Sequence, residues 1–85
     1  MKDSKEEISQ YILTKFLPGE KRENLQDNTP LLASGILDSM GLFEMISFIE
    51  QRFGIAVDDQ DVTFENFGRL QDIAAFIESK LALKH

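Results

Sequence analysis

Chemistry needs nucleophiles, bases and ligands at workable spacings, and this sequence supplies very few of them. The single histidine, His85, is the last residue, where nothing can orient it, and there is no cysteine. Serine–histidine and cysteine–histidine nucleophilic arrangements therefore have no partners, and zinc ligation fails for the same reason. The acidic run Asp58-Asp59-Gln60-Asp61 invites a calcium reading, but a calcium loop starting at Asp58 needs glycine at its sixth position and glutamate at its twelfth. Those positions hold Thr63 and Arg69, so helix capping and solvation explain these acids more simply. Gly35, Gly41, Gly54 and Gly68 stand alone and form no phosphate-cradling loop. What remains is Asp38-Ser39. Taken by itself the pair is an N-cap followed by an early helical residue, as at many helix starts.

The elements around that pair give it a setting. Ile8, Tyr11, Ile12 and Phe16 recur at helical spacing and predict an amphipathic first helix over roughly residues 4–17. Asp3 or Ser4 can cap it, Glu6 and Glu7 suit its first turn, and Pro18-Gly19 stops it. Residues 18–38 carry turn chemistry (Pro18-Gly19, Asp27-Asn28-Thr29-Pro30, Ser34-Gly35) and no sustained period. Leu25, Leu31, Leu32, Ile36 and Leu37 are costly to leave in water, so the loop is expected to be pinned across the core. The second helix, about residues 39–53, is the best defined. At 100° per residue, Leu42, Met45, Ile46, Ile49 and Phe53 share the core arc, Met40, Glu44, Ser47 and Gln51 lie opposite, and Phe43 and Phe48 fall on the flanks. Gly54 suits the position just past its end.

Ile55-Ala56-Val57 has no partner strand and is expected to pack as loop. Val62 to Phe67 allows one or two helical turns, and Gly68 breaks them. A last helix is expected from about Arg69 to Leu83, with Leu70, Ile73, Phe76, Ile77 and Leu81 facing in. Phe16, Phe53, Phe64, Phe67 and Phe76 all take core roles in this pattern. The expected fold is all-α, a small three-to-four-helix bundle with a long first loop, and 85 residues leave room for one domain, residues 1–85.

Net charge is −6, and its distribution matters more than its total. Residues 38–68 hold seven acids (Asp38, Glu44, Glu50, Asp58, Asp59, Asp61, Glu65) against the one base Arg52, while the flanking segments are nearly balanced. Such a field repels nucleic acid and anionic membrane and steers basic partner surfaces to the middle of the chain. It also serves solubility. The charged N-terminus has no apolar run of a secretory signal, and no stretch approaches the ~20 apolar residues that span a bilayer. A cytoplasmic protein is the expectation.

The stretch Thr29-Pro30-Leu31-Leu32-Ala33-Ser34-Gly35-Ile36-Leu37-Asp38-Ser39-Met40-Gly41 resembles the prosthetic-group site of the acyl and peptidyl carrier protein family. Glu44 to Ile55 resembles that family's second helix with its aromatic-glycine ending, and Asp61 to Phe67 followed by Leu70 and Ile73 also fits, so the likeness covers nearly the whole chain. The resemblance implies that a phosphopantetheinyl transferase moves 4'-phosphopantetheine from coenzyme A onto Ser39. The arm's thiol then holds an acyl or aminoacyl group as a thioester, and the chain is a carrier and not an enzyme. Asp38 would orient the first turn and help present the serine to the transferase. The new phosphodiester suits a helix N-terminus. Partners (the transferase, an adenylating or acyl-transferring loading enzyme, and tailoring or condensing enzymes) must bind briefly, which favours a small, electrostatically steered interface. Met40, Phe43, Glu44 and Ser47 are the expected contacts, and a monomer is expected.

Two departures shape the reading. Leucine is commoner after the serine than Met40, and Met40-Gly41 is similar to D-alanyl carriers and some aminoacyl carriers. The exposed face of the second helix, with Gln51 and Arg52, is also less uniformly acidic than in fatty-acid carriers. An aminoacyl or short-acyl carrier for nonribosomal peptide or polyketide assembly is favoured. A D-alanyl or fatty-acid carrier is the alternative, and an unmodified helical adaptor for a basic partner is the reading of a different class.

Overall fold

The computed structural model describes residues 4–83. Four α-helices are present among them: α1 (Ser4–Lys15), α2 (Ser39–Phe53), α3 (Phe64–Phe67) and α4 (Leu70–Leu83). Single 3₁₀ turns at Arg22–Asn24 and Asp59–Asp61 interrupt the connections.

Helix α1 packs on α4, burying Ile8, Ile12 and Leu13 against Leu70, Ile73, Phe76 and Ile77. It ends at Lys15 and not near residue 17, because the N–H groups of Phe16 and Leu17 both turn back to the Ile12 carbonyl, at 2.8 and 3.1 Å. Of its two expected caps, Asp3 lies outside the described residues. Ser4 stands inside the helix, where its hydroxyl donates to Glu78 Oε1 at 2.8 Å and ties α1 to α4. His85 also lies outside the described residues.

The long loop is pinned as its leucines require. Leu25, Leu31 and Leu37 are buried, and each side chain removed from water stabilises the fold by about 1.5–3 kcal/mol. Leu32 and Ile36 are half-buried. Backbone bonds complete the attachment: the Leu31 N–H donates to Gly68 O at 2.7 Å, and the Gln71 N–H donates to Asp27 O at 3.0 Å. The loop thus lies against the α3–α4 corner, and buried Leu37 anchors the chain immediately before Asp38.

In α2 the buried positions are Gly41, Met45 and Ile49, while Leu42, Ile46 and Phe53 are half-buried. The core arc is therefore rotated toward α1 from the one expected. Gly54 closes the helix with φ 66°, a left-handed value that suits glycine, and its N–H donates to Glu50 O at 3.0 Å. After it, Ile55 is buried and Val57 half-buried in irregular chain.

Phe64 corrects the expected core. The Thr63 side chain caps α3 by accepting the Asn66 N–H at 3.2 Å, which makes Phe64 the first residue of a one-turn helix. One turn buries only one side, and Phe67 occupies it at 0% exposure while Phe64 is left 68% exposed.

Candidate functional site

The first turn of α2 is built by Asp38. Its backbone is extended, and its Oδ1 accepts the Gly41 N–H at 2.7 Å, satisfying one of the donors a helix start leaves open. The Ser39 and Met40 N–H groups have no partner among the described residues, and they point with the helix dipole toward any anion at this end. Ser39 is the first helical residue, with its side chain exposed. An exposed hydroxyl beside unfilled N–H donors suits a covalently attached phosphate.

Gly41 has a role that its type alone did not disclose. It is buried, and a Cβ there would lie 2.9 Å from Phe16 Cε1 and 3.2 Å from Asp38 Oδ1. The glycine supplies space, letting the Phe16 ring close on the turn that holds Ser39. The glycine of the Met40-Gly41 pair thus has a packing cause in this chain.

The other expected site residues surround Ser39. Met40 and Phe43 are 74% and 72% exposed, so two large apolar side chains stand in water beside the serine. At i and i+3 of one helix they form a contiguous exposed apolar patch, the kind of surface that partners bind. Ser47 is exposed one turn further on. Glu44 is exposed too, but it pairs with Lys15 at 3.5 Å, so it is shared with α1 and is not a free acid.

The two flanks of α2 differ. On one, Phe48 stacks on Tyr11 with ring centroids 4.0 Å apart and planes 13° from parallel, which closes that side. Burial there pushes the Tyr11 hydroxyl above its ordinary pKa, with Lys15 lowering it and Glu44 raising it to lesser degrees. On the other flank the chain from Val57 to Val62 stands off the helix. The space between is a groove of about 420 Å³, lined by Ser39, Leu42, Phe43, Ile46, Glu50, Val57, Asp59 and Val62.

That outer wall is held by its acids. Glu50 Oε2 accepts the Val57 N–H at 2.9 Å. Asp58 and Asp61 form a reciprocal capping box, and the Asp61 carboxylate also takes Lys80 Nζ at 3.0 Å. The Asp58 N–H and then the Lys80 ammonium hold the Asp61 carboxyl below its usual range. Among the described residues no group of three or more acid, histidine or cysteine side chains is placed to hold a metal. No helix there is long and apolar enough to cross a membrane.

Leu42, Ile46, Glu50, Val57, Asp59 and Val62 were not singled out as site residues by sequence reasoning. For Glu50 a signal existed: it follows Ser39 by eleven residues, three turns and about 20°, and so falls on the same stripe.

Comparison with known proteins identifies the family of the chain. The family model for the phosphopantetheine attachment site matches residues 17–77. The chain is 32% identical to "Probable acyl carrier protein PigG" of a Serratia species over 68 residues, covering 80% of this chain and 77% of that protein. It is 34% identical to the D-alanyl carrier protein of Abiotrophia defectiva over 61 residues, 72% and 75% of the two chains. Among solved structures, a chain described under "Crystal structure of FAD-dependent dehydrogenase" superposes with TM-score 0.75 at 31% identity, covering 82% of this chain and 97% of that one.

Proposed function

The chain belongs to the phosphopantetheine attachment family, and from that premise we propose that Ser39 carries the arm and that its cargo is an aminoacyl or short acyl group of a specialised pathway. Members of this family are carriers and not catalysts: a covalently attached 4'-phosphopantetheine holds intermediates as thioesters, and the chain is visited by enzymes that modify and load it. The family match displaces the reading as an unmodified adaptor.

One observation carries the choice of Ser39: its exposed hydroxyl at the start of α2, next to unfilled N–H donors and to a cap that leaves it free. A phosphopantetheinyl transferase would join the Ser39 oxygen to the phosphorus of coenzyme A's pantetheine phosphate, with loss of the hydroxyl proton and of adenosine bisphosphate. Asp38 fixes the turn, and Met40, Phe43, Glu44 and Ser47 form the contact face around it. A loading enzyme, adenylating or acyl-transferring, would then charge the thiol, and tailoring or condensing enzymes would act on the tethered group. The single hydrophobic cluster joining all four helices and the loop supports reading residues 1–85 as one carrier domain.

Nonribosomal peptide or polyketide assembly is the pathway class favoured by Met40-Gly41 and the mixed charge of α2. The likeness to a D-alanyl carrier protein keeps that cargo as the second reading. Incubation with coenzyme A and a broad-range transferase should raise the intact mass by one phosphopantetheine, and Ser39→Ala should abolish the gain. A gain that survives in Ser39→Ala defeats the assignment.

A further inference from the structure

Methionine and leucine fill nearly the same volume, so exchanging one for the other in an apolar patch changes little in shape. What methionine adds is a thioether, which a peroxide can oxidise and a hydrocarbon does not offer. Leucine is the commoner residue after the carrier serine, and this chain has Met40 there. Sulfur is scarce elsewhere, with three methionines and no cysteine in the chain. Met1 lies outside the described residues, Met45 is at 0% exposure in the core, and Met40 is 74% exposed. Among the described residues Met40 is therefore the one sulfur that a solute can reach.

Its place decides what oxidation does there. Met40 is the second residue of α2, directly after Ser39, and with Phe43 it makes the exposed apolar patch beside the serine. It takes no part in the hydrophobic core, to which α2 contributes Met45 and Ile49. An oxygen added at Met40 thus leaves the fold standing, whereas the same oxygen at Met45 would put a polar group into the core. The change is felt when a partner covers the patch, because the sulfoxide must then give up its water. The charged side chains nearest in sequence, Asp38 and Glu44, are carboxylates and offer a sulfoxide oxygen no donor.

We propose that Met40 is a site of reversible oxidation that lowers recognition of Ser39 by the enzymes that modify and load the carrier. The oxidant is a hydroperoxide. A lone pair of Met40 Sδ attacks its terminal oxygen, and the O–O bond breaks as the S–O bond forms. The proton of the transferred oxygen moves to the leaving oxygen, giving water or an alcohol. Sulfur loses two electrons and the peroxide gains them. A thiol-dependent methionine sulfoxide reductase reverses the change, restoring the thioether and releasing the oxygen as water. The inference rests on Ser39 as the attachment point and on Met40 in its contact face.

The test treats the unmodified full chain with hydrogen peroxide, removes the peroxide with catalase, and maps the methionines by peptide mass spectrometry. Met40 should gain one oxygen well before Met45, with the far-ultraviolet circular dichroism unchanged. The oxidised chain is then offered to a phosphopantetheinyl transferase with coenzyme A. Its KM should rise about tenfold with kcat kept, the effect of burying one unpaired polar group. Methionine sulfoxide reductases A and B with dithiothreitol should bring KM back. In Met40→Leu, peroxide should leave that variant's own KM unmoved, and Met1, present in both proteins, cannot make the difference. Equal oxidation of Met40 and Met45, a changed spectrum, an unmoved KM in chain fully oxidised at Met40, a loss carried by kcat alone, no recovery on reduction, or the same rise in Met40→Leu each overturns the inference. All of these leave the attachment reading standing. Untreated chain that takes no arm overturns both, and intact mass distinguishes the cases.

Discussion

Gly41→Ala sets two opposed effects against each other in the turn that carries Ser39. In an ordinary helix interior the change stabilises by about 1 kcal/mol, since alanine loses less backbone entropy than glycine on folding. Here the new methyl would meet Phe16 Cε1 at 2.9 Å and Asp38 Oδ1 at 3.2 Å. Carbon–carbon contact is comfortable near 3.5–4.0 Å, so the ring must withdraw by about 0.6–1 Å. Overpacking of this kind costs about 1–3 kcal/mol, and any displacement of Asp38 gives up part of a cap worth about 1 kcal/mol. The expected result is a net loss near 1 kcal/mol, seen as a fall in Tm of about 4–8 °C for a domain of this size. The decisive comparison is the same substitution in a Phe16→Leu background. With the ring gone only the 3.2 Å contact with Asp38 Oδ1 remains, and helix propensity should bring Gly41→Ala to between neutral and stabilising by about 1 kcal/mol. Urea unfolding followed by far-ultraviolet circular dichroism on the four proteins measures both changes. If Gly41→Ala stabilises equally in the two backgrounds, Phe16 does not close on this turn and the account of Gly41 is wrong.

The cap itself predicts that Asp38→Ala lowers stability by about 1 kcal/mol, while Asp38→Asn, which retains an acceptor for the Gly41 N–H, recovers most of it in the same unfolding assay. Asp61 has a folded-state pKa below its unfolded value, so its stabilisation is fully present above the unfolded carboxyl range near pH 4 and is lost as pH falls through the lower folded value. The difference in urea midpoint between wild type and Asp61→Asn should accordingly be constant above about pH 5 and shrink below about pH 4. Reversing Glu44 and Glu65 to lysine should slow phosphopantetheine transfer several-fold at low salt, and the gap should narrow as ionic strength rises toward about 0.5 M. Equal rates at all salt concentrations would remove steering from the explanation.

What sequence could supply differed from one segment to the next, for physical reasons. Helix α2 was legible because fifteen residues give its period several repeats, with Asp38 and Gly54 marking its two ends by side-chain and φ preferences that act locally. The loop's leucines were legible because their cost in water does not depend on knowing the fold. Phe64 was not, since a four-residue helix has no period, and nothing local decides whether Phe64 or Phe67 faces in. The groove was not legible either. Leu42 and Ile46 have the spacing of core residues and would be core if the Val57–Val62 chain lay flat on α2. Its stand-off is set by the Glu50 and Lys80 contacts to that chain, which join residues seven and nineteen positions apart. The space needed at Gly41 depends equally on a distant ring, Phe16.

The acidic middle of the chain then has two functions that do not compete. Asp38, Glu50, Asp58 and Asp61 each accept a backbone N–H, and so each shapes the turn or wall it belongs to. An N–H carries no net charge, so these bonds leave the long-range field of the acids unchanged. Only an ion pair reduces it, and within the segment Glu44 and Asp61 have lysines. Arg52, the segment's one base, pairs outward with Glu7 of α1 and neutralises none of the acids near Ser39. Asp38, Glu50, Asp58, Asp59 and Glu65 therefore keep their field toward a basic partner while three of them also hold the backbone in place. Neutral amide analogues of those three would weaken steering and leave the turns standing, whereas alanine would remove both, so the two roles separate by experiment at the same positions.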